Sequence, residues 1–252
     1  MKVVVLSSGS KGNTTYVECG NTKILIDMGN TCKYVVSKLM GIGINAEDID
    51  AIFITHTHVD HVKGLKVFLK KYGTKVYFTK EMQNELEYID NYNLIDSDKV
   101  ILKDLLLNVI KTSHDVADSV GYVIEGDNKG IVYITDTGYI NNKYFSLLNN
   151  REVYILESNH DIEMLNNGPY SFQLRQRILG DKGHLSNYDC SRYLSSFIGD
   201  KTDVIVLAHL SEENNTRELA YDTLIKRFDE DNRSVRKIII AKQDEETEEI
   251  LV

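Results

Sequence analysis

The stretch Thr55-His56-Thr57-His58-Val59-Asp60-His61 concentrates the residue types best suited to chemistry in this chain. Three imidazoles and a carboxylate fall in the pattern H-x-H-x-D-H. Neutral imidazole and carboxylate are the ligands that divalent zinc, manganese and iron accept. Without a cation, rings crowded in this way would compete for the same protons and hydrogen-bond partners. The plainer alternative is a set of solvated loop histidines. The ligand spacing favours metal.

The element that positions the cluster precedes it directly. Ala51-Ile52-Phe53-Ile54 is a short apolar run, largely β-branched or aromatic, of the kind that forms a buried strand. A strand end sends alternate side chains to one side, and the following turn brings the next pair around. Four other strand-like runs end the same way. Asp27 closes Ile24-Leu25-Ile26, and His114 follows the run at 105–110. Asp136 follows Val132-Tyr133-Ile134, and His209 follows the run at 204–207. A lone aspartate at a strand end is usually a turn former, and a lone histidine an ordinary polar residue. Their joint occurrence in this order places a metal site along one rim of the fold.

Further strands are expected over 3–6, 14–18, 22–26, 76–78, 121–125, 131–134, 153–156 and 237–241, with glycine turns between the early ones. Helical spacing covers 32–39, 62–72, 80–88, 144–148, 186–197 and 212–228. Strand-rich stretches come first in each half, with helices interspersed later. This predicts an α/β (α+β) chain with two sheets face to face and helices outside, a four-layer αβ/βα sandwich. With no linker or low-complexity break, residues 1–252 read as one domain.

Composition removes several function classes. The chain is 42% hydrophobic and 27% charged, an ordinary globular balance. No apolar run approaches a membrane span, and the N-terminal run is too short for a signal peptide, so a cytoplasmic location is expected. A net charge of −9 argues against a protein that coats nucleic acid nonspecifically. Cys19, Cys32 and Cys190 form neither a disulfide framework nor a CxxC pair and read as small buried apolar residues.

The ordered set Asp27, His56-x-His58-x-Asp60-His61, His114, Asp136 and His209 resembles the five motifs of the metallo-β-lactamase superfamily. Ser7-Ser8-Gly9-Ser10-Lys11-Gly12-Asn13 resembles the glycine-rich first hairpin of its phosphodiesterase branches. Glu157-Ser-Asn-His-Asp161 and Gly183-His-Leu-Ser-Asn187 are similar to hallmarks of the small YycJ/WalJ-like bacterial group. The resemblance implies the metallo-β-lactamase fold and a dinuclear site. His56, His58 and His114 would hold one metal, and Asp60, His61 and His209 the other. Asp136 and a water or hydroxide would bridge them, and Asp60 would belong to the catalytic set as well. The ions would be zinc or manganese, with iron also accommodated. Asp27 would orient a histidine or a loop from outside the ligand set; a simple turn role before Gly29 is the alternative.

An aspartate rather than a cysteine at position 136 favours phosphoester chemistry in this superfamily. Two divalent ions about 3.5–4 Å apart clamp a phosphate and acidify a shared water. The leaving alkoxide still needs a proton. His184 is the candidate acid, just before a helix that Ser186 or Asn187 can cap. Glu157 resembles the partner that holds such a histidine protonated in the RNase Z branch. A helix-cap histidine and a solvated strand-end glutamate are the alternatives. His160 reads either as lining the cleft or as a surface histidine. Arg175 and Arg177, with Tyr170 and Phe172, read either as phosphate and base contacts or as a solvated helix with a buried aromatic.

The function expected first is a nuclease, exonuclease-like and favouring DNA. The alternatives are a hydrolase of small phosphodiesters or cyclic nucleotides, a glyoxalase-type thioester or lactone hydrolase, and a metal-stabilised scaffold. The stretch between Asp136 and His209 is consumed by core elements and leaves no room for the inserted domain of the β-CASP nucleases.

Overall fold

The strands β1 (Lys2–Ser7), β2 (Thr14–Cys19) and β3 (Thr22–Ile26) form an antiparallel meander in a computed structural model that describes residues 1–252. Gly20 closes its second turn with a φ of +55°, and Cys19 pairs with Thr22 across it. The chain then crosses over through α1 (Cys32–Gly41), where the Thr31 hydroxyl caps the first turn by accepting from the Tyr34 N–H. It returns as β4 (Ala51–Phe53), parallel to β3. Two short helices, α2 (Val59–Val62) and α3 (Leu65–Tyr72), lead to β5 (Lys75–Thr79), and β6 (Tyr92–Ile95) forms the edge, both parallel.

The second half repeats the plan. β7 (Lys99–Leu102), β8 (Leu105–Lys111), β9 (Val120–Gly126) and β10 (Lys129–Ile134) are antiparallel. After α4 (Phe145–Leu148), β11 (Val153–Glu157) continues the sheet in parallel. Helices α5 (Ile162–Asn167), α6 (Phe172–Leu179) and α7 (Asn187–Phe197) precede β12 (Val204–Ala208); α8 (Arg217–Glu230) precedes β13 (Lys237–Ile240). The last strand, β14 (Ile250–Leu251), returns to pair with β1. The sheet orders are β14-β1-β2-β3-β4-β5-β6 and β13-β12-β11-β10-β9-β8-β7.

Side-chain alternation explains the layers. On β11, Val153 and Ile155 enter the core shared by the two sheets, whereas Tyr154 and Leu156 face a second core. On β12, Val204, Val206 and Ala208 face inward and Ile205 and Leu207 outward. The outer core is completed by Leu194 and Phe197 of α7 and by Leu224 and Phe228 of α8. These strands are buried on both faces, which is why they read as unbroken apolar runs. Each fully buried Leu, Ile or Phe contributes about 1.5–3 kcal/mol of transfer free energy. The αβ/βα sandwich is thus as expected, and no helix is long and apolar enough to cross a membrane.

Three expected helices differ. The helix expected over 62–72 is broken at Lys63-Gly64, because the Gly64 N–H donates to the Met28 carbonyl at 2.9 Å. A Cβ on Gly64 would lie 2.2 Å from the Asn30 carbonyl oxygen, and one on Gly29 only 1.6 Å from that of Asp60. The backbone at 28–30 therefore nests directly against 60–64. The helix expected over 80–88 is a single 3-10 turn, Lys80–Met82, followed by i→i−3 turns that bury Met82, Leu86 and Ile89 over a short path. The helix expected from 212 begins at Arg217 under a Thr216 cap, because Asn214 and Asn215 before it are buried.

Strand register sets the rim. Ile26 pairs with Phe53 in the first sheet. Ile134, Leu156 and Leu207 are level in the second, and Glu157 is level with Ala208. The carboxyl ends of these parallel strands face the same edge of the sandwich, where open α/β sheets place their ligands. Cross-sheet bonds fasten this edge: the Val120 N–H donates to the Thr55 carbonyl at 2.9 Å, and the Tyr122 hydroxyl to the Ile54 carbonyl at 2.7 Å.

A candidate metal centre at the rim of the two sheets

All seven histidines of the chain lie in or beside this rim, and six of them form one cluster with Asp60, Asp136 and Glu157. The ligand atoms of His56, His58 and His114 lie within 4.8 Å of one another, and so do those of Asp60, His61 and His209. Asp136 joins His56 and His61 in a third such group, and Glu157, His184 and His209 in a fourth. The structure thus brings together every site residue expected from the sequence.

The backbone is strained where it delivers them. Asp27, Asp136 and His209 follow β3, β10 and β12 with φ of +61°, +53° and +54°. Non-glycine residues in the left-handed region cost on the order of 1–3 kcal/mol each and gather at functional sites. Surrounding bonds hold them there. The His209 N–H donates to Ser8 Oγ at 2.8 Å, and Asp27 accepts at both carboxylate oxygens from the Thr55 N–H and hydroxyl at 2.8 Å.

Asp27 also resolves the two readings of its role. Its Oδ2 accepts from His61 Nδ1 at 2.8 Å, which fixes the ring and turns Nε2 toward Asp136 Oδ2, 3.2 Å away. His114 donates from Nδ1 to the Gly183 carbonyl at 3.3 Å, so its Nε2 faces His58 Nδ1 at 3.2 Å. His56 places Nδ1 at 3.1 Å from the Thr55 hydroxyl, and its Nε2 is buried without a partner.

Glu157 does more than the sequence suggested. It is fully buried at the end of β11, and its Oε2 accepts from the Thr137 and Leu185 N–H groups at 3.1 and 3.2 Å. Its Oε1 accepts from His184 Nδ1 at 2.6 Å and from His209 Nδ1 at 2.9 Å. One carboxylate therefore orients both a candidate ligand and the candidate acid. Ser186 caps α7 immediately afterwards, accepting from the Asp189 N–H at 3.0 Å, so the helix start fixes the chain on the far side of His184.

Electrostatics follow from this geometry. Burial, then the nearby imidazoles, press His56 well below its ordinary value; burial also lowers His114. Both are neutral, the form that ligates. Burial disfavours the His61 cation too, yet Asp136 and Asp27 override it and push the ring up to about 10. His209 is likewise raised against burial, chiefly by Asp136. Glu157 is drawn down to about 2 despite its burial, chiefly by His184, whose own imidazolium is favoured in return. Protons on buried imidazoles here offset carboxylate charge that a metal cation would otherwise neutralise.

The donor set fits divalent ions. His56 Nε2, His209 Nε2 and Asp136 Oδ2 are buried polar atoms without hydrogen bonds, delivered by three different strand ends. An unsatisfied buried polar group costs about 1–3 kcal/mol. A cation coordinated among these atoms satisfies them together, with nitrogen and oxygen donors suited to zinc or manganese.

Several contributors escaped the sequence reading. Asn13 ends the glycine-rich hairpin; its Nδ2 lies 3.0 Å from His61 Nε2 and donates to Asp60 Oδ2 at 3.3 Å. Ser158, Asn159, Asn187 and Asn215 form a buried network. Ser158 Oγ donates to Asn187 Oδ1 at 2.7 Å, Asn187 Nδ2 to Asn215 Oδ1 at 2.8 Å, and Asn159 Nδ2 to the His209 carbonyl at 2.9 Å. It ties the exits of β11 and β12 to the starts of α7 and α8, which gives the asparagines of the two hallmark motifs a physical task. His160 is no surface histidine. It is buried, its carbonyl accepts from the Asn187 N–H at 2.8 Å, and burial lowers its imidazole to about 4. Arg175 donates to the Asn166 carbonyl and joins α6 to α5, and Phe172 is exposed rather than buried.

A family model described as a beta-lactamase superfamily domain matches residues 22–201. Exodeoxyribonuclease WalJ of Streptococcus pneumoniae serotype 2 is 37% identical over 90% of this chain and 88% of its own length. Exodeoxyribonuclease YycJ of Bacillus anthracis is 36% identical over 86% of this chain and 84% of its own. Among solved structures, the metallo-β-lactamase fold protein YhfI of Bacillus subtilis superposes with a TM-score of 0.73 at 19% identity, covering 98% of each chain. Zinc-bound PqqB of Methylobacterium extorquens does so with 0.71 at 14% identity, over 98% of this chain and 100% of its own. The two superpositions agree in fold with the sandwich described above. The chain belongs to the metallo-β-lactamase superfamily of metal-dependent hydrolases, in the group that includes WalJ and YycJ.

Proposed function

We propose that this hydrolase cleaves phosphodiester bonds of nucleic acid from chain ends, with DNA preferred. His56, His58 and His114 would hold one divalent ion and Asp60, His61 and His209 a second, with Asp136 completing the donor set. When bound, zinc or manganese supplies an acidified water and positive charge against the phosphate oxygens. The protein's own groups do the rest. Asp27 aims His61, and Asn13 holds the Asp60 carboxylate. Glu157 aims His209 and keeps His184 protonated, leaving His184 Nε2 to donate to the departing alkoxide.

The His184–Glu157 contact at 2.6 Å carries this reading. An activated thioester or lactone does not need a held imidazolium to expel its leaving group, whereas a nucleotide alkoxide does. The preference for DNA and for chain ends rests on the exodeoxyribonuclease relatives.

The test uses purified protein with manganese or zinc and end-labelled DNA, RNA and cyclic nucleotides. Stepwise shortening of DNA from one end is expected, falling steeply as salt rises because several phosphates are engaged at once. Turnover of cyclic nucleotides alone, nearly independent of salt, would make this a small-diester enzyme instead.

A further inference from the structure

Arg177 stands apart from the other cations of the chain. It lies on α6, a helix that buries none of its own residues yet is fastened to the site at its C-terminal end. There the His184 N–H donates to the Ile178 carbonyl at 3.0 Å, and the Gly183 carbonyl accepts from His114. The loop after Asp136 is pressed against the same turn, for a Cβ on Gly138 would lie 2.3 Å from the Asp181 carbonyl oxygen. α6 therefore cannot drift from the metal cluster.

The arginine reaches the cluster through one carboxylate. Its Nε donates to Asp115 Oδ2, and Asp115 Oδ1 lies 3.5 Å from His114 Nε2 and 3.9 Å from His58 Nε2. The Arg177 side chain is 55% exposed, and neither terminal nitrogen of its guanidinium has a partner in the protein. A guanidinium gripped along one edge has already given up much of its rotamer freedom, while its free edge keeps the donor fork that matches a phosphate. Arg175, two residues earlier, is spent on the Asn166 carbonyl. Asp115 does not repel an incoming anion strongly, since the arginine paired with it offsets its charge.

We propose that Arg177, braced by Asp115 beside His58 and His114, forms a subsite for a second phosphate of the substrate, next to the one being cleaved. The subsite rests on the nucleic-acid reading above and deepens it. A substrate with a run of phosphates gains from this contact; a diester with a single phosphate has nothing to place there.

Arg177→Gln and Arg177→Lys test the subsite, with a labelled DNA oligonucleotide and bis-p-nitrophenyl phosphate as substrates and bound metal per chain measured in parallel. Arg177→Gln should raise the oligonucleotide KM by roughly 10- to 100-fold, as expected for loss of a charge-assisted bond, with kcat much less affected. The oligonucleotide-to-diester ratio of kcat/KM should fall by the same factor. The slope of log KM against log salt should shrink by about 0.7–0.9, one phosphate contact. Arg177→Lys should recover part of the loss. An unchanged oligonucleotide KM and salt slope would overturn the subsite. Equal losses on both substrates with loss of metal would also overturn it, assigning Arg177 to holding Asp115 alone. Wild-type protein that turns over the diester but no oligonucleotide would instead bring down the nucleic-acid reading, and the subsite with it.

Discussion

Asp136→Asn should lower kcat/KM toward bis-p-nitrophenyl phosphate by roughly 10³-fold or more, about 4 kcal/mol of transition-state stabilisation. The substitution is chosen because it alters charge and little else. Asparagine keeps the shape of the side chain and tolerates the left-handed backbone that Asp136 adopts at φ +53°. What disappears is a buried carboxylate facing four imidazoles: His61 Nε2 at 3.2 Å, His209 Nδ1 at 3.4 Å, His184 Nδ1 at 3.8 Å and His114 Nε2 at 3.9 Å. Its Oδ2 has no hydrogen bond of its own. Bound metal should fall with activity while the circular dichroism spectrum stays that of a folded chain. Activity within tenfold of wild type would remove Asp136 from the centre of the site.

His184→Ala should act differently, reducing cleavage of an unactivated DNA phosphodiester by about 10²–10⁴-fold with bound metal retained. An aryl ester such as bis-p-nitrophenyl phosphate expels a leaving group that needs no proton and should lose far less. The pH dependence follows from the raised basicity of His184. Its folded value lies above the ordinary imidazole value because Glu157 favours the cation against the cost of burial. An acid must be protonated to work, so DNA cleavage is full below that raised value and fails as pH rises through it. Glu157→Gln removes the supporting charge and sets its amide against one of the two donor pairs that the carboxylate accepts, so the alkaline fall-off of the remaining activity should move to lower pH. Steady-state rates across pH on both substrates check this. Equal losses on DNA and aryl ester, or an alkaline limb unmoved by Glu157→Gln, would deny His184 the role of acid.

Much of this site was legible because its chemistry sits where β-structure makes reading easy. Each strand bearing a site residue is buried on both faces, so it appears as an apolar run whose end is unmistakable, and the polar residue just past that end is the one delivered to the rim. The strand ends announce His114, Asp136, His209 and the cluster from His56 to His61, whereas Glu157 and His184 stand out only through their resemblance to family motifs; all of them converge. Elements whose existence depends on distant partners were not legible. β6, β7 and β14 are short edge strands recruited by neighbours, and β14 pairs with the first strand from the opposite end of the sequence. The break at Gly64 depends on the Met28 carbonyl and the Asn30 backbone, so no local pattern marks it. Met82, Leu86 and Ile89 have helical spacing, yet i→i−3 turns satisfy the same burial.

The site itself divides along the same line. Residue types and order announce ligands, but not which nitrogen each imidazole offers. That is settled by Asp27 on His61, the Gly183 carbonyl on His114, and the shared Glu157 on His209 and His184. Such contacts join residues far apart in the chain and come only from the folded register. The asparagine network behind β11 and β12 is of this kind, as is the Arg177–Asp115 pair.

The proposed phosphodiester hydrolase depends on two divalent ions held by these residues. Titrating metal-free protein with manganese or zinc, while following bound ions per chain and phosphodiester turnover together, tests it most directly. Two ions per chain should bind, with turnover appearing as the second is taken up. Full turnover by metal-free protein, or saturation of activity at a single bound ion, would contradict it.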